Sequence, residues 1–558
     1  MMRKSRIAPA IALLFITGCG GGGGSAPPPA SNPVASPPPP PPPVAQSATP
    51  TRFEEQAVLR GLVFASGYTN DMNGMVRLFS GGGAVGDVNG DGFLDIFIVP
   101  GNMGPNLLYL NQGGSGFTED AASAGLDYTK STVETYRQSG PVLGDMDGDG
   151  DLDLFLGGLE GDPSQVYRND GTGRFSDVTP GSGFDLMTSA YTISAAMGDY
   201  DGDGDLDLAM AHWGTPRPQN NPGETETLWR NDSTASTIRF TPVSQPAGIS
   251  DEIGLDRSGG VLGEDHDYTF APGFADIDQD GDQDLLSVAD FGSSRVFINE
   301  GDGTFTNITD PTRITDTNGM GSAIGDYDGD GDMDWFVSSI DGNRLYQNTG
   351  GEYDYPSEAA DVSLGGWGWG SCFADFNADG LLDIYQTNGW DVGMSAASSN
   401  YVEDTSRLWM AQPDGSFEDM ANDSEMLDSE QGRGVICDDF DNDGDVDVLL
   451  LTLDDQNAGL LWTNQLTGAN TLSIILEGVA PNTFGVGATV SITIGNATQT
   501  RLVGINSNFV SHNSTTQYFG LGEATQVDSL RVQWPDGKTS DLTAIVANQR
   551  LTIRHPDL

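Results

Sequence analysis

The chain has 558 residues, and its 81 acidic side chains outnumber its 24 basic ones to give a formal net charge of −57. A charge of that sign repels phosphate backbones and anionic lipid headgroups, which excludes nucleic-acid binding and a basic membrane-binding face. The 76 glycines and 30 prolines predict many short elements joined by turns. Three cysteines and four histidines are too few for a disulfide-stapled scaffold or a multi-cysteine zinc protein.

The amino terminus has the pattern of an export signal. Three basic side chains precede an apolar stretch over residues 7–17, which is too short to span a bilayer as a helix. The stretch ends just before Cys19 and resembles a bacterial lipobox, so residues 1–18 are predicted to be a lipoprotein signal peptide and Cys19 the lipidated residue. An ordinary secretory signal with an incidental cysteine is the alternative. No later run of 18 apolar residues occurs, so the lipid is the only expected membrane attachment.

Residues 19–50 are predicted to be a disordered tether, because they contain five consecutive glycines and seven consecutive prolines and cannot build a core. An inert disordered stretch of this composition would behave in nearly the same way. Glycine rather than aspartate follows Cys19. By resemblance to lipoproteins of diderm bacteria, this favours the outer membrane, with the protein facing the periplasm or the cell surface.

The most informative feature is an internal repeat of acidic loops. Seven loops of the form D-x-[DN]-x-D-G-x-x-D recur between residues 87 and 447, with first aspartates 49 to 77 residues apart, so each structural unit carries one. The sixth position is always glycine, as a chain folding tightly around a cation requires. The loop residues are Asp87, Asn89, Asp91 and Asp95; Asp145, Asp147, Asp149 and Asp153; Asp199, Asp201, Asp203 and Asp207; Asp276, Asp278, Asp280 and Asp284; Asp326, Asp328, Asp330 and Asp334; Asp375, Asn377, Asp379 and Asp383; and Asp439, Asp441, Asp443 and Asp447.

These loops are predicted to bind calcium, at about seven sites. Two carboxylates about 4 Å apart repel each other by about 4 kcal/mol at a dielectric constant near 20. Each loop holds three or four carboxylates and would spread apart without a cation. The donors are all oxygens, which favours Ca²⁺ over zinc or copper, and Mg²⁺ resists dehydration by so dense a carboxylate cage. Acidic turns kept only for solubility would not explain seven copies of one spacing.

The segments around each loop predict β-strands. Apolar runs such as residues 96–99 and 448–451 follow the loops, and the residues before the loops alternate between bulky and small with period two. The twelfth residue of each loop is never acidic, which excludes EF-hands. Most units also contain a third strand and an F-x-[DE] strand. The predicted fold class is therefore all-β, with a seven-bladed β-propeller over residues 51–465 and the calcium sites in its hairpin loops.

The two ends of the repeat region predict how the ring closes. The last unit lacks its F-x-[DE] strand, whereas a separate copy of that pattern, Phe53-Glu54-Glu55, lies before the first loop. Residues 52–58 are therefore predicted to pair with residues 459–464, which would remove the free strand edges.

Together these features resemble the FG-GAP/VCBS repeat proteins, the family that includes the head of integrin α chains. Residues 466–558 alternate apolar and polar residues between glycine turns and predict a small β domain. Its motifs GVGA at 485–488, FGLG at 519–522 and WPDG at 534–537 resemble the ASPIC/UnbV domain of cartilage acidic proteins and their bacterial relatives. The resemblance implies an architecture more than an activity.

Two long insertions between the repeats contain tryptophans that are candidate binding residues. Residues 208–272 and 386–408 contain Trp213 and Trp390, and an aromatic, acidic propeller face could bind a protein or a glycan. Packing of these tryptophans between blades is the favoured alternative.

Cys372 and Cys437 lie three and two residues before the first aspartates of adjacent loops. Because their parity differs, we expect them to face opposite sides and to remain free thiols.

The favoured function is a lipid-anchored, extracytoplasmic adhesion or protein-interaction module in which calcium is structural. Capture of a surface polysaccharide or other glycan is the second interpretation, and a cryptic hydrolase or a biosynthetic accessory protein is the third. The chain contains no G-x-S-x-G elbow, no H-E-x-x-H motif and no Cys/His cluster, so we predict no catalytic residues and no enzyme activity.

Overall fold

The structure is a computed structural model that describes residues 51–67, 82–131, 134–216, 225–250, 252–253, 266–340, 342–355, 362–390, 401–454 and 456–558. The predicted signal peptide, Cys19 and the predicted tether lie outside these residues, as do parts of both insertions. The described residues all belong to one compact unit. Within the described ranges, no helix is long and apolar enough to cross a membrane.

The predicted all-β class and propeller architecture are confirmed. Seven antiparallel sheets of four repeat strands each occur between residues 53 and 464 of the described chain, and we number them blades 1 to 7 in order of their acidic loops. In each blade the strand before the acidic loop is innermost and the strand after the loop is second. The innermost strands of successive blades contact one another in order, and that of blade 7 contacts that of blade 1.

The blade strands share one plan. The innermost strands are Gly82–Gly86, Gln138–Gly144, Ser194–Gly198, Thr269–Ala275, Gly319–Gly325, Gly368–Ala374 and Gly432–Asp438. The second strands are Asp95–Val99, Asp153–Gly158, Asp207–Ala211, Asp284–Ala289, Asp334–Ser339, Asp383–Asn388 and Asp447–Thr452. The third strands are Leu107–Asn111, Gln165–Asn169, Leu228–Asn231, Arg295–Asn299, Arg344–Thr349, Arg407–Ala411 and Gly459–Asn464. The outermost strands are Phe117–Glu119, Phe175–Asp177, Phe240–Pro242, Phe305–Asn307, Glu352–Asp354, Phe417–Asp419 and, in blade 7, Phe53–Glu55.

The predicted pairing of the start of the repeat region with its last unit is confirmed. Phe53 pairs with Asn464 and Glu55 with Trp462, so the start of the repeat region supplies the outermost strand of the last blade. Each pair of neighbouring blades, including blades 7 and 1, shares its own apolar cluster of buried side chains. The hydrophobic core is thus a series of packed blade interfaces.

The C-terminal domain consists of two further sheets around a separate apolar core. The three-stranded sheet has the order Gln517–Gly522, Asn470–Glu477 and Gln549–Arg554. The four-stranded sheet has the order Ala497–Leu502, Thr489–Ile494, Gln526–Gln533 and Thr539–Val546. The short strand Ser511–His512 leaves this domain and pairs in parallel with the innermost strand of blade 1. The described helices are short, at Ala121–Ala124 and, as a 3₁₀ turn, Phe184–Leu186.

The prediction of free thiols was wrong. Cys372 and Cys437 form a disulfide between the innermost strands of blades 6 and 7, with Cα atoms 6.5 Å apart. Side chains at equivalent positions of neighbouring blades lie on the same face of each blade, for example always on the clockwise face around the ring. Two facing positions must therefore have opposite parity, which is what these two cysteines have. Cys372 and Cys437 do point in opposite directions, and on neighbouring blades this brings their side chains face to face.

The tryptophans of the insertions pack, as the favoured alternative predicted. Trp213 and Trp390 are each 5% exposed, and Trp369 is 1% exposed. They belong to one cluster at the end of the channel opposite the acidic loops, where Trp367 stacks on Trp390 with ring centroids 4.2 Å apart. These side chains consequently offer little aromatic surface to a glycan.

Candidate metal centres

Each acidic loop is shaped by hydrogen bonds from its own backbone to its first aspartate. In blade 2, the amides of Asp149 and Gly150 donate to the Asp145 carboxylate at 3.1 and 3.0 Å. The glycine at the sixth position has φ between 89° and 103° in all seven loops. Glycine adopts this left-handed conformation without steric cost, so the requirement inferred from the sequence is confirmed.

Five loops bring three carboxylates together. One oxygen from each member of a trio lies within 4.8 Å of the others. The trios are Asp145, Asp147 and Asp153; Asp199, Asp201 and Asp203; Asp276, Asp278 and Asp284; Asp326, Asp328 and Asp334; and Asp439, Asp441 and Asp447. Loops 1 and 6 carry Asn89 and Asn377 at the third position, so each has one carboxylate fewer at that point.

The donor chemistry fits a hard cation. Asp201 Oδ1 and Asp441 Oδ1 are buried and have no hydrogen-bond partner in the structure. A buried carboxylate oxygen without a donor is costly unless a cation or water completes its shell. Oxygen donors clustered in this way are the ligands that calcium prefers.

The ninth aspartate of each loop has a second role that the sequence did not indicate. Asp207 is fully buried; its Oδ1 accepts a hydrogen bond from the amide of Asn231 at 2.8 Å, and its Oδ2 accepts one from the amide of Tyr200 at 2.9 Å. The ninth aspartates of the other six blades accept the same pair of bonds. This residue therefore joins its loop to the third strand as well as facing the site.

Burial raises the pKa of the ninth aspartates. The pKa of Asp95 rises to about 7, and those of Asp153, Asp284 and Asp334 rise to about 8, with burial as the largest cause in each case. Neighbouring loop carboxylates raise these pKa values further, while the backbone hydrogen bonds lower them.

These shifts predict the pH dependence of the cation-free protein. In the folded state the carboxyl groups of these aspartates stay protonated up to pH 7 to 8, whereas in the unfolded chain they lose their protons above a pKa of about 4. The free energy of unfolding in chelator should therefore fall between pH 5 and pH 8. Burial lowers the pKa of His512 to about 4, which by itself would make stability rise with pH, but this is one group against several. Urea unfolding at both pH values checks this. A cation that binds ionised carboxylates should weaken or reverse the trend, and a rise in chelator would contradict it.

Loop 2 has an internal counter-ion. The Arg168 guanidinium lies 2.7 Å from Asp147 and 2.8 Å from Asp149, the third and fifth loop positions. Arg168 directly precedes the asparagine that ends the third strand, so its side chain reaches along the blade to the loop. Arg168 is visible in the third-strand sequence QVYRN, but no local pattern indicates that it reaches the loop.

An asparagine at the end of the third strand ties each of six blades to the preceding one. The Asn231 side chain donates through Nδ2 to the carbonyl of Met146 in blade 2 at 2.9 Å and to that of Leu206 in its own loop at 3.1 Å. The other inter-blade bonds run from Asn111 to Phe440, Asn169 to Val88, Asn299 to Tyr200, Asn348 to Ile277 and Asn464 to Phe376. The bond from Asn111 links blade 1 to blade 7. Blade 6 has Ala411 at this position.

This pattern predicts opposite effects for two substitutions. Asn231→Ala should lower the free energy of unfolding by roughly 2–3 kcal/mol, because it removes two buried hydrogen bonds and leaves their acceptors unpaired. Ala411→Asn should raise the free energy of unfolding by about 1 kcal/mol. The new side chain could donate to the backbone carbonyls of Tyr327 and Leu382, which occupy the positions of Met146 and Leu206. Urea unfolding measures both changes. A loss of stability in Ala411→Asn as large as in Asn231→Ala would contradict this account.

The C-terminal domain covers the loop end of the propeller. The Gly520 amide donates to Asp375 Oδ2 at 3.0 Å, and Thr483 donates to Asp145. Arg550 donates to the Gly92 carbonyl in loop 1 at 2.8 Å and to Asn442 Oδ1 in loop 7 at 2.7 Å. The second domain therefore contacts the acidic loops directly.

Sequence comparisons assign both parts of the chain. The profile of the FG-GAP-like repeat matches residues 87–156, 145–210, 276–337 and 326–385, and that of ASPIC and UnbV matches residues 478–558. The chain carries FG-GAP-like repeats and a C-terminal ASPIC/UnbV domain. This agrees with the two-part architecture of the structure.

The curated relatives are cartilage acidic proteins. The chain is 26% identical over 523 residues to cartilage acidic protein 1 of Xenopus tropicalis, covering 85% of this chain and 73% of that protein. It is 27% identical over 278 residues to cartilage acidic protein 1 of Homo sapiens, covering 46% of this chain and 39% of that protein. A solved Agrocybe aegerita lectin, described as recognising non-reducing terminal N-acetylglucosamine, has 16% identity and a TM-score of 0.40 over 66% of this chain and 88% of that chain. A score this low supports no inference about what this chain binds.

Proposed function

We propose that this FG-GAP/ASPIC/UnbV chain is a calcium-binding, extracytoplasmic propeller that binds a protein partner, with calcium in a structural role. The observation that carries the calcium assignment is the convergence of three carboxylates within 4.8 Å in five loops. The unpaired buried oxygens of Asp201 and Asp441 support it, because a cation would complete their shells.

The central channel of the propeller is filled, which favours an interaction role over catalysis. Propellers offer a central channel as a natural ligand cavity. Here residues 503–516 of the C-terminal domain occupy it and pair with the innermost strands. The outer blade surfaces and loops are then the surfaces that remain for a partner, and the relation to cartilage acidic proteins is consistent with that role.

A binding screen tests the interaction role. The purified protein would be screened against surface proteins of the producing cell and, in a second arm, against glycans, each in calcium and in chelator. Saturable protein binding that weakens in chelator supports the proposal. Binding to glycans alone would move the function to the second interpretation, and no binding in either arm would contradict an interaction role.

We also propose that Cys19 carries a lipid anchor, on the sequence pattern at residues 1–19. Metabolic labelling with a fatty acid should mark the wild-type protein, and Cys19→Ala should lose the label and appear in the soluble fraction. Cys19→Ala that retains the label would contradict the anchor.

A further inference from the structure

The innermost strand of a propeller blade has a free edge that faces the central channel. Backbone N–H groups at such an edge need a partner when they are buried, because an unpaired buried donor costs free energy. Here the channel contains residues 503–516 of the C-terminal domain, which we call the axle segment.

The axle segment hydrogen bonds to the innermost strand of every blade. All the blade donors lie two or four residues before the first aspartate of their loop. The bonds run from the Gly83 amide to Val510 O, Leu143 to His512 Nε2, Met197 to Ile505 O, Phe274 to Asn506 Oδ1, Ser322 and Ser371 to Asn508 O, and Val435 to Ser511 Oγ. Their lengths lie between 2.8 and 3.3 Å.

Two of the segment's side chains both accept a hydrogen bond from an innermost strand and donate one back to it. Asn506 accepts from the Phe274 amide at 2.8 Å and donates to its carbonyl at 3.1 Å. Ser511 accepts from the Val435 amide at 3.0 Å and donates to its carbonyl at 2.8 Å. These side chains complete strand edges as a neighbouring strand would.

The segment also reaches the end of the channel opposite the acidic loops. Phe509 and Val510 are fully buried in the aromatic cluster at the end opposite the acidic loops. The Phe509 ring lies 5.6 Å from Phe270 and 5.2 Å from Trp369. The innermost strands leave little space for larger side chains, since a Cβ on Gly82 would lie 2.8 Å from the Val510 carbonyl.

We propose that the axle segment is what allows the seven blades to close, so that the C-terminal domain functions as an internal assembly element of the propeller. One continuous segment bonds to all seven innermost strands, and each of these bonds joins residues far apart in the chain. The ring should therefore lose stability as a whole when the segment is weakened, including in blades whose own contacts to it are unchanged.

Hydrogen exchange on the full chain tests this. The double variant Asn508→Ala, Ser511→Ala removes side-chain bonds to Val435 in blade 7 and to Asn513, and leaves the contacts of blades 3 and 4 in place. We expect amide exchange in the innermost strands of all seven blades to rise at least tenfold. A rise confined to blade 7 would overturn the proposal. Ser491→Ala, which loses a hydroxyl contact to Thr500 in the four-stranded sheet of the C-terminal domain, is the matched control.

A second measurement covers the case in which the double variant does not fold. A protease site placed in the turn at residues 466–469 allows the folded full chain to be cut between propeller and C-terminal domain. We expect both fragments to co-elute on gel filtration and to unfold in a single transition. Separation of the C-terminal fragment from a propeller that keeps its circular dichroism and melting temperature would overturn the proposal.

Discussion

Removal of divalent cations is expected to lower the free energy of unfolding by roughly 10 kcal/mol. This figure assumes that each of seven sites has extracellular-type affinity, sees calcium at about ten times its Kd, contributes about 1.4 kcal/mol, and that the contributions add. The physical reason is repulsion within the loops, five of which bring three carboxylate oxygens within 4.8 Å of one another. Thermal unfolding in calcium and in chelator measures the effect.

A single loop substitution distinguishes bound calcium from a general effect of salt. Asp203→Asn keeps an oxygen for the Asp205 amide but removes one carboxylate from the loop 3 trio. We expect it to lower the melting temperature in calcium and to leave it nearly unchanged in chelator. Glu418→Gln, an exposed carboxylate-to-amide change outside the loops, is the matched control and should have no effect in either condition. Equal losses in both conditions for Asp203→Asn would contradict the structural role of calcium.

Asp207→Ala is expected to be the most damaging single loop substitution. Both carboxylate oxygens of this buried residue accept backbone hydrogen bonds, so the variant leaves the amides of Tyr200 and Asn231 unpaired in the core. The expected loss is roughly 3–5 kcal/mol in chelator and somewhat more in calcium.

The comparison with Asp203→Asn separates the two roles of the loop. Urea unfolding of Asp207→Ala in calcium and in chelator gives the loss in each. If Asp207→Ala lost stability only in calcium, the ninth aspartate would be a ligand alone, and the joining role inferred from its hydrogen bonds would be wrong.

The features predicted from the sequence are those encoded locally. The acidic loops, the strands on either side of them and the sixth-position glycine follow from spacing and period, and the structure confirms these loop and strand positions. The pairing of Phe53–Glu55 with the last blade was also predictable, because one F-x-[DE] pattern was missing from the end of the repeats and one extra copy stood at their start.

The features that the sequence did not indicate depend on how blades face each other. The bond from Asn231 to Met146 joins residues of different blades, and no local pattern states which carbonyl the side chain reaches. Predicting the disulfide between Cys372 and Cys437 requires knowing which faces of neighbouring blades pack against each other. The path of residues 503–516 through the channel required knowledge of where the second domain docks.

The most direct test of the central claim is elemental analysis of the native protein after dialysis against metal-free buffer. The account predicts about seven calcium ions per chain, one for each acidic loop. Folded protein that contains no calcium would contradict it.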